Sequence, residues 1–279
     1  MIIDGKKIAS DIEEELKKLI PKDRPPSLAF IFVESDSSAL SYIKSVERIS
    51  DRIGIGLKRV VIAENSSTAQ VTDIVVELNK DKDIHGILIS KPLPKGVDES
   101  TITETISPLK DIDCVHPLNL GKLLLGEPLF VPSTPYAVIE ILAHENIEIS
   151  GKNVVIIGRS NVVGRPLACM LGQRGRDATV TVCHTKTRNL REHTINADIL
   201  VVACGSPKLV KEDMVKAGSV VIDVGINVVD GKLVGDVDFD AVKEKVAAIT
   251  PVPGGVGPVT TIMLLKNTIK AWQKLTTID

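Results

Sequence analysis

Short apolar runs alternate with helix-period segments along most of the chain, and this alternation limits the possible folds more than any other feature. Ser27–Val33 reads SLAFIFV, an unbroken apolar run of strand length. Before it, Lys6–Ile20 carries Ile8, Ile12, Leu16, Leu19 and Ile20 at helical spacing. After it, Ala39–Ile53 carries Leu40, Ile43, Val46 and Ile49 on one stripe. The pattern then predicts a strand at Lys58–Ala63, a helix at Thr68–Asn79 and a strand at Ile84–Ser90, stopped by Pro92 and Pro94. Asp98–Ile106 predicts another helix. Strands separated by helices pair in parallel by default. Aromatic residues make up only 3% of the chain, so Ile, Val and Leu must build the core, as they do in buried parallel strands.

Residues 107–135 are rich in proline and read as loops between elements, not as disorder, because apolar residues persist through them. A helix is expected at Thr134–Asn146, broken by Ser150-Gly151. A second β/α run starts at Asn153, with a helix from about Gly164 and a strand at 179–183. A helix around 188–195 and strands at 199–204 and 219–225 follow. Val246–Ile249 leads into TPVPGGVGP, and a last helix is expected from Val259 to Leu275. The expected fold is therefore α/β, with two domains.

The bulk numbers exclude several classes. A formal net charge of −2 over 279 residues argues against a nucleic-acid-gripping surface. No apolar run approaches the roughly 18–20 residues that span a bilayer. The start, MIIDGKKIASDIEEEL, lacks the apolar run of a secretory signal. Cys114, Cys169, Cys183 and Cys204 are widely spaced and form no CxxC pair, so they read as reduced, mostly buried thiols. A cytoplasmic location is expected from these absences. His85, His144, His184 and His193 have no metal-ligand spacing, so no metal is expected.

The most informative local stretch is NVVIIGRSNVVG at Asn153–Gly164. An apolar strand ends in a glycine turn, and a helix opens beyond it. Gly158 permits the tight turn, and Ser160 is small enough for the backbone to approach a phosphate. The helix N-terminus offers free N–H groups and a positive dipole end. The alternative is a plain βα turn that binds nothing. The next strand ends Cys183-His184-Thr185-Lys186-Thr187-Arg188, with no acid to accept from a ribose 2′-OH. Arg159 and Arg165 add charge in the turn itself. Such a set would stabilise a 2′-phosphate, which favours NADP over NAD. Otherwise these cations are solvated surface charge.

At this point the chain resembles the bifunctional methylenetetrahydrofolate dehydrogenase/cyclohydrolase family, essentially from end to end. The specific stretches are GRSNVVGRP at 158–166, IDVGIN at 222–227, VGDV at 234–237 and TPVPGGVGPVT at 250–260. GILISKPLP at 86–94, DIDCVHPLNLGKL at 111–123 and PSTP at 132–135 support them. The resemblance implies NADP-dependent oxidation of 5,10-methylenetetrahydrofolate to the 5,10-methenyl cation, then hydrolysis to 10-formyltetrahydrofolate. It implies a catalytic domain at 1–135 completed by 258–279, with a Rossmann-type NADP-binding domain inserted at 136–257. It also implies a homodimer, with tetrahydrofolate derivatives as the small-molecule partners. The family's tyrosine falls on Tyr42 and its pterin-binding aspartate on Asp113. Its nucleotide contacts fall on Gly158, Arg159, Ser160, Thr185 and Ile226, beside the charge of Arg165. Pro253, Gly254 and Gly255 fall on the loop that approaches the folate. His116 is expected to serve a loop hydrogen bond, and Ser133 stands where relatives often carry cysteine.

One departure matters. The family places a catalytic lysine four residues after the tyrosine, and that position is Val46 here. The glutamine that bonds this lysine is replaced by Ser90. Loss of both members leaves no orphaned partner. Lys44 lies two residues from Tyr42 and should point away from it. Lys91 would start on the far side of its strand, but a flexible stem at a strand end can bend back. Lys91 is therefore the expected substitute. Two alternatives stay open: a monofunctional dehydrogenase with weak cyclohydrolase activity, and a non-catalytic NADP-binding protein on the same fold.

Overall fold

The computed structural model describes residues 1–21 and 23–278. The elements run α1 (Gly5–Lys17), β1 (Ser27–Val33), α2 (Ser37–Ile53), β2 (Gly56–Ile62), α3 (Thr68–Lys80), β3 (Gly86–Ile89) and α4 (Glu99–Thr105). They continue with α5 (Pro117–Leu124), α6 (Ser133–His144), β4 (Asn153–Ile157), α7 (Gly164–Leu171), β5 (Thr179–Cys183), α8 (Leu190–Thr194) and β6 (Ile199–Val202). Then come β7 (Val220–Asp223), β8 (Asn227–Val229), β9 (Lys232–Val234), α9 (Phe239–Val242), β10 (Ala248–Ile249) and α10 (Val256–Ile278).

The chain forms two compact units. One comprises Asp11–Ser133 and Thr261–Asp279, and its three-stranded sheet has the order β2-β1-β3, all parallel. β1 is central, which explains why six of its seven residues are buried. Ala29, Ile31 and Val33 pack with Val71, Val75 and Leu78 of α3 and with Ile102 and Ile106 at α4. Each fully buried valine, leucine or isoleucine among them contributes about 1.5–3 kcal/mol. The capping box of Ser67 and Gln70 sets where α3 begins.

The other unit comprises Met1–Ser10 and Thr134–Thr260. Its five-stranded sheet has the order β10-β7-β6-β4-β5, all parallel. This is a doubly wound arrangement whose order reverses between β4 and β6, where such sheets bind ligands at the carboxyl ends of the strands. The first residues join this unit because Ile3 N–H donates to Ile249 O at 2.9 Å and Ile249 N–H to Met1 O at 3.0 Å, which extends the β10 edge.

Two expectations fail locally. The proline-rich stretch is not all loop, since α5 lies inside it. Pro117 sits in the first turn, where a missing N–H costs nothing, and His116 caps the helix by accepting from Leu118 N–H at 3.0 Å. Beyond β7 the chain makes an unforeseen hairpin, β8–β9, whose turn places Asp230 and Gly231 at φ 51° and 73°. Both values suit the Asp-Gly pair of a tight hairpin turn.

Candidate functional site

In the unit built on β2-β1-β3, the site residues come from a helix face, a strand end and a loop. Tyr42 lies on α2 with its ring 5.8 Å from that of Phe30, tilted by 60°. One turn further along, Val46 is fully buried. Lys44 is exposed, and its charge acts on Glu47, so it faces away from Tyr42 as its spacing requires.

The loop after α4 is drawn against β3. Ile87 N–H donates to Lys110 O at 2.7 Å, and Gly86 leaves room for Ile112, whose side chain lies 2.6 Å from where a Cβ would stand. From α10, the Asn267 amide donates to Ile112 O at 2.8 Å and Val131 O at 2.7 Å. The two acids on this loop then do different work. Asp111 is fully buried and accepts from Val115 N–H, His116 N–H and the Asn119 amide at 3.0, 2.9 and 2.7 Å. It is a structural carboxylate whose acceptor capacity is used. Asp113 accepts only from Ser133 Oγ, at 3.3 Å, among the described residues. Removal from water, with the Asp111 charge nearby, pushes its pKa up to about 7. Loss of water, reinforced by the Asp113 charge, raises the Tyr42 phenol well above its ordinary range. Tyr42, Asp113 and Ser133 therefore stand together, and Asp113 keeps lone pairs to spare.

Lys91 borders the same acid, Asp113. It lines a small cavity of about 20 Å³ together with Asp113, Thr103, Ile87, Ile89 and Val115. Its charge acts on Asp113 in the direction that opposes burial. Its ammonium is held 2.7 Å from Glu99 Oε2, at the start of α4.

In the doubly wound unit, Gly158 ends β4 at the point where the strand order reverses. Its φ is +128°, and a Cβ there would lie 2.1 Å from Ala203 O, at the end of β6. Gly164 meets Gly158 O as closely, at 2.0 Å from a built Cβ. Both positions accept only glycine. Ser160 Oγ accepts from Val163 N–H at 3.1 Å and closes the turn before α7. Arg159, Ser160 and Arg165 are exposed, and Arg165 donates to Asn161 Oδ1 at 2.7 Å. At the end of the neighbouring β5, Thr185, Lys186 and Arg188 are exposed, and no acid stands among residues 184–188. A turn open to the phosphates beside an acid-free cationic strand end fits NADP. Ile226, 65% exposed, projects from the loop after β7. Pro253, Gly254 and Gly255 lie in the turn before α10, where Gly254 has φ +103° and a Gly255 Cβ would lie 2.5 Å from Pro251 O.

Two functional candidates escaped the sequence reading. Asp223, at the end of β7, accepts from Gly225, Asp236 and Val237 N–H at 2.9–3.0 Å. Burial pushes its pKa up to about 6. Asp236 accepts from Cys204, Gly205 and Ser206 N–H at 2.7–2.9 Å and from the Asn227 amide at 2.9 Å. Together they tie down the loops at the carboxyl ends of β6 and β7. The motifs IDVGIN and VGDV were visible, but nothing local showed that their acids converge.

Comparison with known proteins agrees with this geometry. Residues 132–276 match the family described as tetrahydrofolate dehydrogenase/cyclohydrolase, NAD(P)-binding domain. Residues 3–113 match the catalytic domain of the same family. The bifunctional protein FolD of Halothermothrix orenii is 51% identical over 276 residues, covering 97% of each chain. The crystal structure of the FolD methylenetetrahydrofolate dehydrogenase/cyclohydrolase of Campylobacter jejuni superposes with a TM-score of 0.95 at 42% identity, over 98% of this chain and 99% of that one. The corresponding Trypanosoma brucei enzyme, complexed with NADP cofactor and inhibitor, gives a TM-score of 0.93 at 36% identity, over 98% and 97%. The chain belongs to the tetrahydrofolate dehydrogenase/cyclohydrolase family.

Proposed function

We propose that the chain oxidises 5,10-methylenetetrahydrofolate with NADP and hydrolyses the resulting methenyl cation to 10-formyltetrahydrofolate, with the residues named above. One observation carries the reading: Asp113, a carboxyl withdrawn from water whose only side-chain donor among the described residues is Ser133. A partly buried acceptor with free lone pairs is stabilised when a ligand supplies donors. The amino group and ring N–H of a pterin are such donors. Tyr42 would flank the folate ring. Pro253, Gly254 and Gly255 would let a flat substrate approach the backbone. Gly158, Arg159, Ser160, Arg165, Thr185 and Ile226 would hold NADP, which supplies the hydride acceptor when bound. The protein's part in hydride transfer is chiefly positioning.

Lys91 is the proposed catalytic cation of the hydrolytic step. The family lysine cannot act from position 46, where a buried valine stands, and Lys91 is the cation that shares a cavity wall with Asp113. Hydrolysis needs a proton managed at the attacking water, whereas hydride transfer does not. Lys91→Met is therefore expected to lower cyclohydrolase turnover about a hundredfold and dehydrogenase turnover by no more than a few-fold. Full cyclohydrolase activity in a folded Lys91→Met enzyme would refute the role. A monofunctional dehydrogenase is the second reading, favoured only by Val46 and Ser90. An assay with methylenetetrahydrofolate and NADP separates them, because accumulated methenyl product marks the monofunctional case. No cofactor reduction at all would refute both.

Lys186 and Arg188 are proposed to favour the 2′-phosphate of NADP. The double variant Lys186→Ala/Arg188→Ala is expected to raise KM for NADP about tenfold or more while leaving KM for NAD nearly unchanged. Parallel changes in both constants would count against this. The catalytic domain is proposed to comprise 1–135 with 258–279, and the NADP-binding domain 136–257, with Met1–Ser10 packed into the doubly wound unit. A homodimer is proposed from the family resemblance, and the cytoplasmic location expected from the sequence stands as a proposal beside it. No helix among the described residues is long and apolar enough to cross a membrane.

A further inference from the structure

Among the described residues, the pair Lys91–Glu99 is the ion pair that meets the cavity wall shared with Asp113. Lys91 leaves the end of β3, and Glu99 opens α4. Their charged atoms are 2.7 Å apart, within direct proton-transfer distance. Both side chains are about half exposed, at 46% and 49%, so Glu99 can return a proton to bulk water. The charged groups facing Lys91 are thus Glu99 from α4 and Asp113 from the loop after it. Of these, Asp113 is bonded by Ser133 and withdrawn from water, while Glu99 is open to solvent.

We propose that Glu99 is the proton acceptor behind Lys91, so that the two residues act as a relay in the hydrolytic step. The inference rests on the reading that Lys91 serves that step. Hydrolysis of a methenyl cation releases one proton overall. Water forms a C–O bond to the methenyl carbon as the C=N π pair of the cation passes to nitrogen, and one of the water O–H bonds breaks. Nζ of Lys91 gives a proton to Glu99 Oε2, and the lone pair so freed takes the water proton. The lysine is cationic before and after the step, and the neutral Glu99 carboxyl returns its proton to solvent. The adduct then collapses. Its C–N5 bond breaks with the electron pair going to N5, the remaining hydroxyl proton transfers to N5, and the formyl C=O forms. An ammonium carries no lone pair, so Lys91 cannot act as a base until it gives up a proton. The relay removes that difficulty, since the proton ends on the carboxylate. Glu99 is a positioning residue in that it acts only through Lys91.

The test compares Glu99→Gln, Glu99→Ala and Lys91→Met in the full-length enzyme, with methenyltetrahydrofolate hydrolysis and NADP reduction measured on the same preparations. Glutamine can still accept from the ammonium but cannot take its proton. The relay predicts that Glu99→Gln loses cyclohydrolase kcat by tenfold or more, as Glu99→Ala does, with KM for the methenyl substrate little changed. It also predicts that formate restores part of the Glu99→Ala rate, because a free carboxylate can fill the vacated place. Full cyclohydrolase kcat in Glu99→Gln, with Lys91→Met impaired, would overturn the relay and leave Lys91 in its role. Full activity in Lys91→Met would overturn the reading beneath it. Equal loss of NADP reduction in the Glu99 variants would mark a structural defect and also count against the relay.

Discussion

Asp113→Asn is expected to remove both activities while making the ligand-free protein more stable at pH 8. The two effects share one cause. A carboxylate facing an amino group and a ring N–H can accept twice, and each charge-assisted hydrogen bond contributes about 1.5–3 kcal/mol. An asparagine amide offers one acceptor and turns a donor against the other N–H. A loss of roughly 10²–10⁴-fold in kcat/KM follows, measurable with either substrate. The stability effect runs the other way. The Asp113 carboxyl has an ordinary value of 3.8 and about 7 in the folded chain, so the folded state binds more protons. The stability it contributes is present in acid and is lost as pH rises from about 4 through 7. Asparagine stays neutral and escapes that loss, while Ser133 can still donate to its carbonyl oxygen. The variant should therefore melt higher than the parent at pH 8, with the gap shrinking towards pH 4. In the parent, KM for the folate should rise as pH falls below about 7, where the carboxyl gains a proton and loses acceptor capacity. A variant with normal folate KM, or a melting gap that widens in acid, would contradict the assignment.

Asp236→Ala carries the largest expected cost to the fold. Four donors converge on this fully buried carboxylate, three of them backbone N–H groups. Each buried donor left without an acceptor costs about 1–3 kcal/mol. Water entering the space would recover part of this, so a net loss on the order of 4–5 kcal/mol is expected. The melting temperature should fall by roughly 10–20 °C. Asp236→Asn, which keeps one acceptor oxygen, should fall between the two. NADP should bind more weakly to both variants, because the turn at Cys204–Ser206 adjoins Ala203, whose carbonyl packs against Gly158. Calorimetry with and without NADP measures both effects. An unchanged melting temperature for Asp236→Ala would contradict this account.

The strands were legible because burial on both faces leaves an unmistakable apolar run, as in SLAFIFV at β1. The glycine turn at Gly158 was legible because only glycine tolerates its close approach. α5 was hidden because Pro117 and Gly121 both act as helix breakers in most contexts. Its signal was the cap, His116 followed by proline at the first helical position. The β8–β9 hairpin was hidden although Asp230-Gly231 announces it, because the runs on either side are only three residues long. The candidate site divides in the same way. Tyr42 and Asp113 lie 71 positions apart in the chain, and only the family resemblance paired them before the structure did. Asp223 and Asp236 stand in the visible motifs IDVGIN and VGDV, but their shared role was hidden, since it depends on backbone groups from three separate loops. Lys91 could be named from its place beside Ser90, but its partner Glu99 could not, because the contact depends on how the chain turns between β3 and α4.

Val46 changes what an inhibitor of this protein should look like. In a lysine-bearing relative, a folate mimic can gain affinity from an acidic or hydrogen-bond-accepting group aimed at the helix that carries the tyrosine. Here that aim meets hydrocarbon, and the same group would lose its water without finding a partner. A mimic with a methyl or chloro substituent at that place, and its acceptor moved towards Lys91, would discriminate between this protein and its lysine-bearing relatives. Such selectivity would come from Val46 on α2 and Lys91 at the end of β3, on an otherwise shared scaffold.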